Sequence, residues 1–182
     1  RSAGIEPVGA YANATELRQS KGYTMTEVNG VKVAFVAFTK GLGGRGMPAG
    51  SEGLVNLLYK DYTSSYSDID TEGITNILRT VELEKPDVTI ALLHWGSAYN
   101  NIVSESQKQI VNLMQKEGVD AIVAAGTTGE ASTLDDDEHR AVIKYAVERV
   151  NGRVPVIAGT GSNDTKHCIE LSKGAEALGV DA

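Results

Sequence analysis

One cysteine, Cys168, stands in the 182-residue sequence, so an internal disulfide framework is excluded and a reducing compartment is compatible. There is no apolar run long enough to cross a bilayer as a helix and no signal-peptide pattern, so no membrane span is expected in this chain. Basic charge is in deficit too: the formal net charge is −7. Binding phosphate backbones or anionic lipid needs a basic surface, so nucleic acid and such membranes are not expected partners. The opening residues RSAGIEPVGAYANATELRQS contain no methionine, from which a processed or excised piece is expected, with a secreted parent left open. What is present is ordinary for a globular chain, with 41% apolar and 23% charged residues. That is enough for one domain with a real core, or for two small ones.

The pattern along the chain predicts an α/β fold, with a largely parallel sheet, flanking helices and βαβ units. VKVAFVAF (31–38), after the turn signal Asn29-Gly30, reads as a buried strand. Gly41, Gly43, Gly44, Gly46, Gly50 and Gly53 then open a long, mobile connector that continues through LYKDYTSSYSDID. It is no phosphate-binding P-loop, since no Gly-Lys-Ser/Thr ends it. Ile74, Ile77, Leu78 and Val81 share one helical face, Pro86 closes that segment, and DVTIALLHW (87–95) is a second buried strand. Ser104 and Gln107 form a capping box for the next helix, which stops at Gly118. VDAIVAAG is a third strand. Thr133 with Asp136 predicts a second capping box, opening a helix that ends at Asn151-Gly152. VPVIAGTG is a fourth strand, a helix up to Gly179 follows, and VDA at 180–182 resembles the start of a fifth strand.

The stretch EGVDAIVAAGTTGEASTL (117–134) runs from a helix end through an apolar strand into a loop of small residues. Gly126 and Gly129 permit a close backbone turn, and Thr127 and Thr128 bring hydroxyl groups to the point where strand hands over to helix. Backbone N–H groups in such a place favour a small anion. The alternative is that both threonines only satisfy the backbone of their own turn.

VNGVKVAFVAFTKG, KPDVTIALLHWGSAYN and SESQKQIVNLMQKEGVDAIV follow one another in this order. On them, residues from about 5 to 123 resemble the poly-γ-glutamate capsule-biosynthesis proteins of the CapA/PgsA family, which have a metallophosphatase-like fold. His94-Trp95-Gly96 is the most specific of the matching motifs, and the resemblance implies His94 as a candidate metal ligand. The family's Gly-His-x-His segment is replaced here by AAGTTGEAS, and His94, His139 and His167 are the three histidines of the chain. A two-metal centre, with ions about 3.5–4 Å apart, needs several more ligands. The other reading of His94 is a hydrogen-bonded histidine at a strand end, packed beside Trp95.

From about residue 110 onward, GVDAIVAAGTTGEASTLDDDEHRAVI and VNGRVPVIAGTGSNDTKHCIELSKGAEALGVDA resemble dihydrodipicolinate synthase and its relatives. These are Schiff-base lyases on a (β/α)₈ barrel, and the resemblance covers roughly the second to the fourth strand. It implies Thr127 and Thr128 as members of a proton relay beside a keto-acid carboxylate, and Gly126 to Gly129 as substrate-binding. The family's imine lysine and relay tyrosine come later in its chain than Ala182. Lys144, Lys166 and Lys173 fall on predicted helices, where solvated surface charges are expected instead of an imine lysine.

The segment GVDAIV suits both families, so the chain reads as a chimera joined there. Residues 1–118 make the capsule-protein-like part and 119–182 a partial barrel, with one continuous sheet as a possible arrangement. Neither active site is expected to be complete, so the chain as given is expected to be inactive. No cofactor is expected. A pyruvate-like small anion is the expected ligand, and an unpaired strand edge predicts a homo-oligomer. The expected location is cytoplasmic if the lyase resemblance governs and the cell envelope if the capsule resemblance does.

Overall fold

The computed structural model describes residues 6–96, 104–124, 135–152, 155–162 and 164–181. These fall into two compact units, the first taking in 6–95 with 104–119 and the second Gly96 with the residues from Asp120 onward.

In the first unit α1 (Ala14–Ser20) is capped by Asn13, whose side-chain oxygen accepts from the N–H groups of Thr15 at 3.0 Å and Glu16 at 2.9 Å. β1 (Tyr23–Val28) and β2 (Val31–Thr39) form an antiparallel hairpin in which Val28 pairs with Val31. The two residues between them, Asn29 at φ 52° and Gly30 at φ 82°, both take the positive φ that a tight hairpin turn of this twist requires. β3 (Val88–His94) lies parallel to β2, from Val33 opposite Val88 to Thr39 opposite His94.

The sheet of this unit is therefore mixed, where a largely parallel one was expected. The reason is local: Asn29-Gly30 does not merely precede a strand but joins two of them. Along β2 the side chains alternate, and Ala34, Val36 and Phe38 are buried. Helix α2 (Thr71–Leu83) places Ile74, Leu78 and Val81 in the same core, and α3 (Glu105–Lys116) adds Ile110 and Met114. The capping box of α3 forms as its sequence predicts: the Gln107 N–H donates to Ser104 Oγ at 3.2 Å, and the Ser104 N–H donates to Gln107 Oε1 at 2.8 Å.

The connector between β2 and α2 is tied down by two side chains. Asn56, 5% exposed, donates through Nδ2 to the carbonyls of Gly22 at 2.8 Å and Ala37 at 3.1 Å. Asp61 accepts from the Ser67 N–H at 2.9 Å, the Asp68 N–H at 3.1 Å and the hydroxyls of Ser65 and Ser67 at 2.7 and 2.9 Å. Leu58 and Tyr59, between them, are buried. The polar composition that marked this stretch as a loop is thus spent on satisfying its own backbone.

The second unit has β4 (Ala121–Ala124) and β5 (Val156–Ala158) side by side and parallel, with Ala124 opposite Ala158. Helix α4 (Asp136–Val150) connects them, and α5 (Thr165–Ala177) follows β5. The capping box of α4 sits two residues later than predicted, and Thr133 lies outside the described residues. Asp135 accepts from the N–H groups of Asp137 at 3.0 Å and Glu138 at 2.9 Å, while the Asp135 N–H donates to Glu138 Oε2 at 3.1 Å. In a run of three aspartates the first can cap, because the helix then carries carboxylates through its positive first turn. Asn151 at φ 49° and Gly152 at φ 70° end α4, as expected. Val180 and Asp181 are not a strand, yet the Asp181 N–H donates to the Val156 carbonyl at 3.0 Å, and the Val156 N–H donates to Asp181 Oδ2 at 2.8 Å. No described helix is long and apolar enough to cross a membrane.

Candidate functional site

Gly126, Thr127, Thr128 and Gly129 lie outside the described residues, so the site is approached here from the elements on either side of them. In sequence they follow β4 and precede α4, as Gly159 to Asn163 follow β5 and precede α5. Because β4 and β5 are parallel neighbours, both connections leave from the same edge of the sheet, the carboxyl end, where open α/β folds hold ligands.

Two histidines gather at this edge. His139, one turn into α4, is 3% exposed, and its Nε2 lies 2.8 Å from the Gly159 carbonyl just past β5. A carbonyl can only accept, so Nε2 carries the proton and donates. Nδ1 is then an acceptor, and it is buried without a hydrogen-bond partner among the described residues. His167, in the first turn of α5, sits with Nε2 2.8 Å from Asp136 Oδ1 and Nδ1 3.3 Å from Ser162 Oγ. Ser162 Oγ also accepts the Asp164 N–H at 3.2 Å, so the hydroxyl is part of the turn that leads into α5. The bond from His167 is the main cause holding the Asp136 carboxyl below the ordinary aspartate range.

The first turns of α4 and α5 are not open anion sites, since Asp135 and Asp164 already accept their leading N–H groups. Sequence reasoning placed His139 and His167 on helices but did not bring them together. The pair the structure makes here, Asp136 with His167, is 31 residues apart, so no local spacing could have signalled it.

His94 is the last residue of β3, half-buried, and its carbonyl accepts the Lys40 N–H at 2.8 Å. Among the described residues no group of three or more His, Cys, Asp or Glu side chains is close enough to hold a metal ion. Lys144 and Lys166 are exposed on α4 and α5, reaching toward Glu148 at 3.8 Å and Glu170 at 4.0 Å, and Lys173 is exposed on α5. The first unit also has a polar cleft lined by Tyr11, Lys21, Tyr23 and Glu84, in which Lys21 and Glu84 satisfy each other at 2.8 Å. None of the residues singled out in the sequence lines it.

Two family models match. The one described as bacterial capsule synthesis protein PGA_cap covers residues 1–127, and the dihydrodipicolinate synthetase family covers residues 89–182. The chain belongs to both families. Residues 89–127, which hold all of α3 and β4 and β3 but for Val88, fit either one. Similar relatives are 4-hydroxy-tetrahydrodipicolinate synthases. That of Acetivibrio thermocellus is 58% identical over 83 residues, 46% of this chain and 28% of the relative. That of Bacillus subtilis is 51% identical over 96 residues, 53% of this chain and 33% of the relative. Among solved structures, a dihydrodipicolinate synthase from Bacillus anthracis is 43% identical, with a TM-score of 0.45 over 52% of this chain and 33% of that one. Another, from Acinetobacter baumannii and complexed with pyruvate, is 50% identical, with a TM-score of 0.38 over 41% of this chain and 25% of that one. The chain therefore spans about a third or less of the length of these synthases.

Proposed function

We propose that the chain is a chimera whose second part, residues 119–182, binds a small pyruvate-like carboxylate without completing the lyase reaction. The observation that carries this reading is the 58% identity to a 4-hydroxy-tetrahydrodipicolinate synthase, confined to 83 residues. The parallel β4–α4–β5–α5 succession supports a partial-barrel reading of the same segment. Gly126 and Gly129 let the backbone approach the carboxylate, and Thr127 and Thr128 offer hydroxyls. Binding at millimolar strength, about −4 kcal/mol, is expected. Lys144, Lys166 and Lys173 are exposed on helices, away from the desolvated strand-end position an imine lysine needs.

Titrating the chain with pyruvate, and separately with sulfate, should move the amide signals of residues 126 to 130 and saturate in the millimolar range. Signals that stay still while the fold is intact make the loop a turn and nothing more. Pyruvate with borohydride should leave the mass unchanged, and a stable pyruvyl adduct on any lysine would show that the imine chemistry is complete after all.

The match over residues 1–127 favours a second reading, in which the first part serves capsule-polymer assembly with His94 as a metal ligand. One tightly held metal ion per chain, lost on His94→Ala, would favour it.

A further inference from the structure

Ser162, His167 and Asp136 form a directed chain of hydrogen bonds in the second unit, and none of the chemistry above uses it. The three come from separate places: Asp136 opens α4, His167 lies in the first turn of α5, and Ser162 stands just before that helix. A carboxylate can only accept, so the 2.8 Å contact between His167 Nε2 and Asp136 Oδ1 puts a ring proton on Nε2. In the neutral imidazole Nδ1 then holds the lone pair, and it faces Ser162 Oγ at 3.3 Å. The Asp164 N–H donates to the same Oγ at 3.2 Å, so the hydroxyl accepts on one side and has its own proton left for Nδ1. Arg140 Nη2 lies 3.9 Å from the second carboxylate oxygen, Asp136 Oδ2.

A serine hydroxyl is a weak nucleophile until a base takes its proton, and the base works best when a third group fixes its tautomer. Here nucleophile, base and orienting carboxylate follow one another in that order, and a 3.3 Å separation is within what such pairs show before substrate tightens them. A serine that only shapes a turn needs its oxygen, which the Asp164 N–H already occupies; a proton aimed at a histidine is more than the turn requires. The His167 and Asp136 side chains are 39% and 46% exposed and Ser162 is half-buried, so a small ester reaches the serine from solvent. We propose that Ser162 is a nucleophile toward activated carboxylic esters, with His167 Nδ1 as its general base and Asp136 as the positioning residue behind that base. Ser162 Oγ bonds to the ester carbonyl carbon, its proton passes to Nδ1, and the bond from that carbon to the leaving oxygen breaks. The proton then moves from Nδ1 to the departing oxygen. Water, losing a proton to the same nitrogen, cleaves the acyl-serine to a carboxylic acid and restores the hydroxyl. The inference needs neither residues 126–130 nor the lyase reading.

The test treats the full chain with a fluorophosphonate, in which a serine oxygen bonds to phosphorus and fluoride leaves, and locates the labelled serines by peptide mass mapping. Ser162 is expected to react about a hundredfold faster than Ser172, the contribution of a positioned base. Ser172 is an internal standard: it is exposed on α5, and its hydroxyl meets Thr160 and the Cys168 carbonyl instead of a histidine. His167→Asn keeps an oxygen near the place of Nδ1 to accept from Ser162 but cannot take its proton, so labelling should fall about a hundredfold. Asp136→Asn should slow it about tenfold, less than a buried carboxylate would because Asp136 is part-exposed. Release of nitrophenolate from p-nitrophenyl acetate should fall in the same order and be lost in Ser162→Ala. Labelling of Ser162 at the rate of Ser172, or a rate unchanged in His167→Asn with the amide spectrum of α5 intact, makes Ser162 a turn residue and overturns the proposal. Ester hydrolysis undiminished in Ser162→Ala assigns the turnover to imidazole alone and overturns it as well. If His167→Asn does not fold, the comparison of Ser162 with Ser172 in the unmodified protein decides alone.

Discussion

The two units bury polar groups to different ends. In the first, Asn56 is buried with both carboxamide protons used, on the carbonyls of Gly22 and Ala37, and its own N–H donates to the Gly9 carbonyl at 2.9 Å. That side chain closes a connector onto the hairpin through both of its donor protons. In the second, His139 is equally buried, yet only one ring nitrogen has a partner among the described residues. A polar group whose donors are all used specifies a fold, whereas a buried ring nitrogen without a partner at the carboxyl edge of parallel strands is a cost that packing does not explain. The contrast is not absolute, because the hydroxyl of Tyr11 in the first unit is also buried without a partner among the described residues.

The largest expected effect tests whether the first unit has the close-packed core its burial pattern implies. Leu78 is 1% exposed, on the inner face of α2. Leu78→Ala should cost about 2–5 kcal/mol, from lost burial and the cavity left behind. Urea unfolding followed by the fluorescence of Trp95, the chain's one tryptophan, reads this directly. A loss below about 1 kcal/mol would mean a core that collapses around the gap, and the distinction between the units would weaken. Next in size is Asn56→Ala, which strands two carbonyl oxygens and should cost about 1–3 kcal/mol in the same measurement. A neutral result would show that water replaces the carboxamide, so that the connector is closed by something other than Asn56.

How far the sequence made this legible depends on whether local and tertiary signals agreed. Helices α2 and α3 and strand β3 were readable because an apolar period, a capping pair and a stop residue all pointed the same way. Strand β1 was missed because its outer half is exposed and its residues Thr24, Thr26 and Glu27 dilute the apolar pattern. The turn Asn29-Gly30 was seen, but only the strand after it was inferred. Helix α1 has 7 residues and no buried side chain, so no periodicity could reveal it; Asn13 with Glu16 three residues on was the sole hint. The displaced cap of α4 shows the limit of pattern alone, since two overlapping boxes compete and only backbone geometry chooses between them. At the candidate site, Asp136 and His167 were visible as residues but not as partners, because contact across two helices depends on how β4 and β5 pair.

The smallest effect compares the two units through acid. Asp61, in the first, is held far below the ordinary aspartate range, chiefly by the Ser67 backbone N–H and further by the Ser65 hydroxyl and the Asp68 N–H, against some desolvation. Asp136, in the second, is lowered chiefly by its hydrogen bond from His167. Each carboxyl therefore has a folded value below its unfolded one, about 3.9 for aspartate. The unfolded chain takes up the proton first as pH drops, so the stabilisation is present above about pH 4 and is lost as pH falls toward the folded value. Both side chains are partly open to solvent, so salt screens part of the effect and it stays smaller than the core and Asn56 losses. Asp61→Ala should flatten the acid dependence of amide protection in residues 56–70 and leave that of α4 as it was. Asp136→Ala should do the converse, flattening α4 and the turn before α5. If either variant kept the acid slope of the unmodified protein in its own unit, that carboxylate would not be the group whose protonation loosens it. If each variant flattened both slopes together, the two units would be opening as one cooperative body, and their different treatment of buried polar groups would be a difference of detail within a single fold.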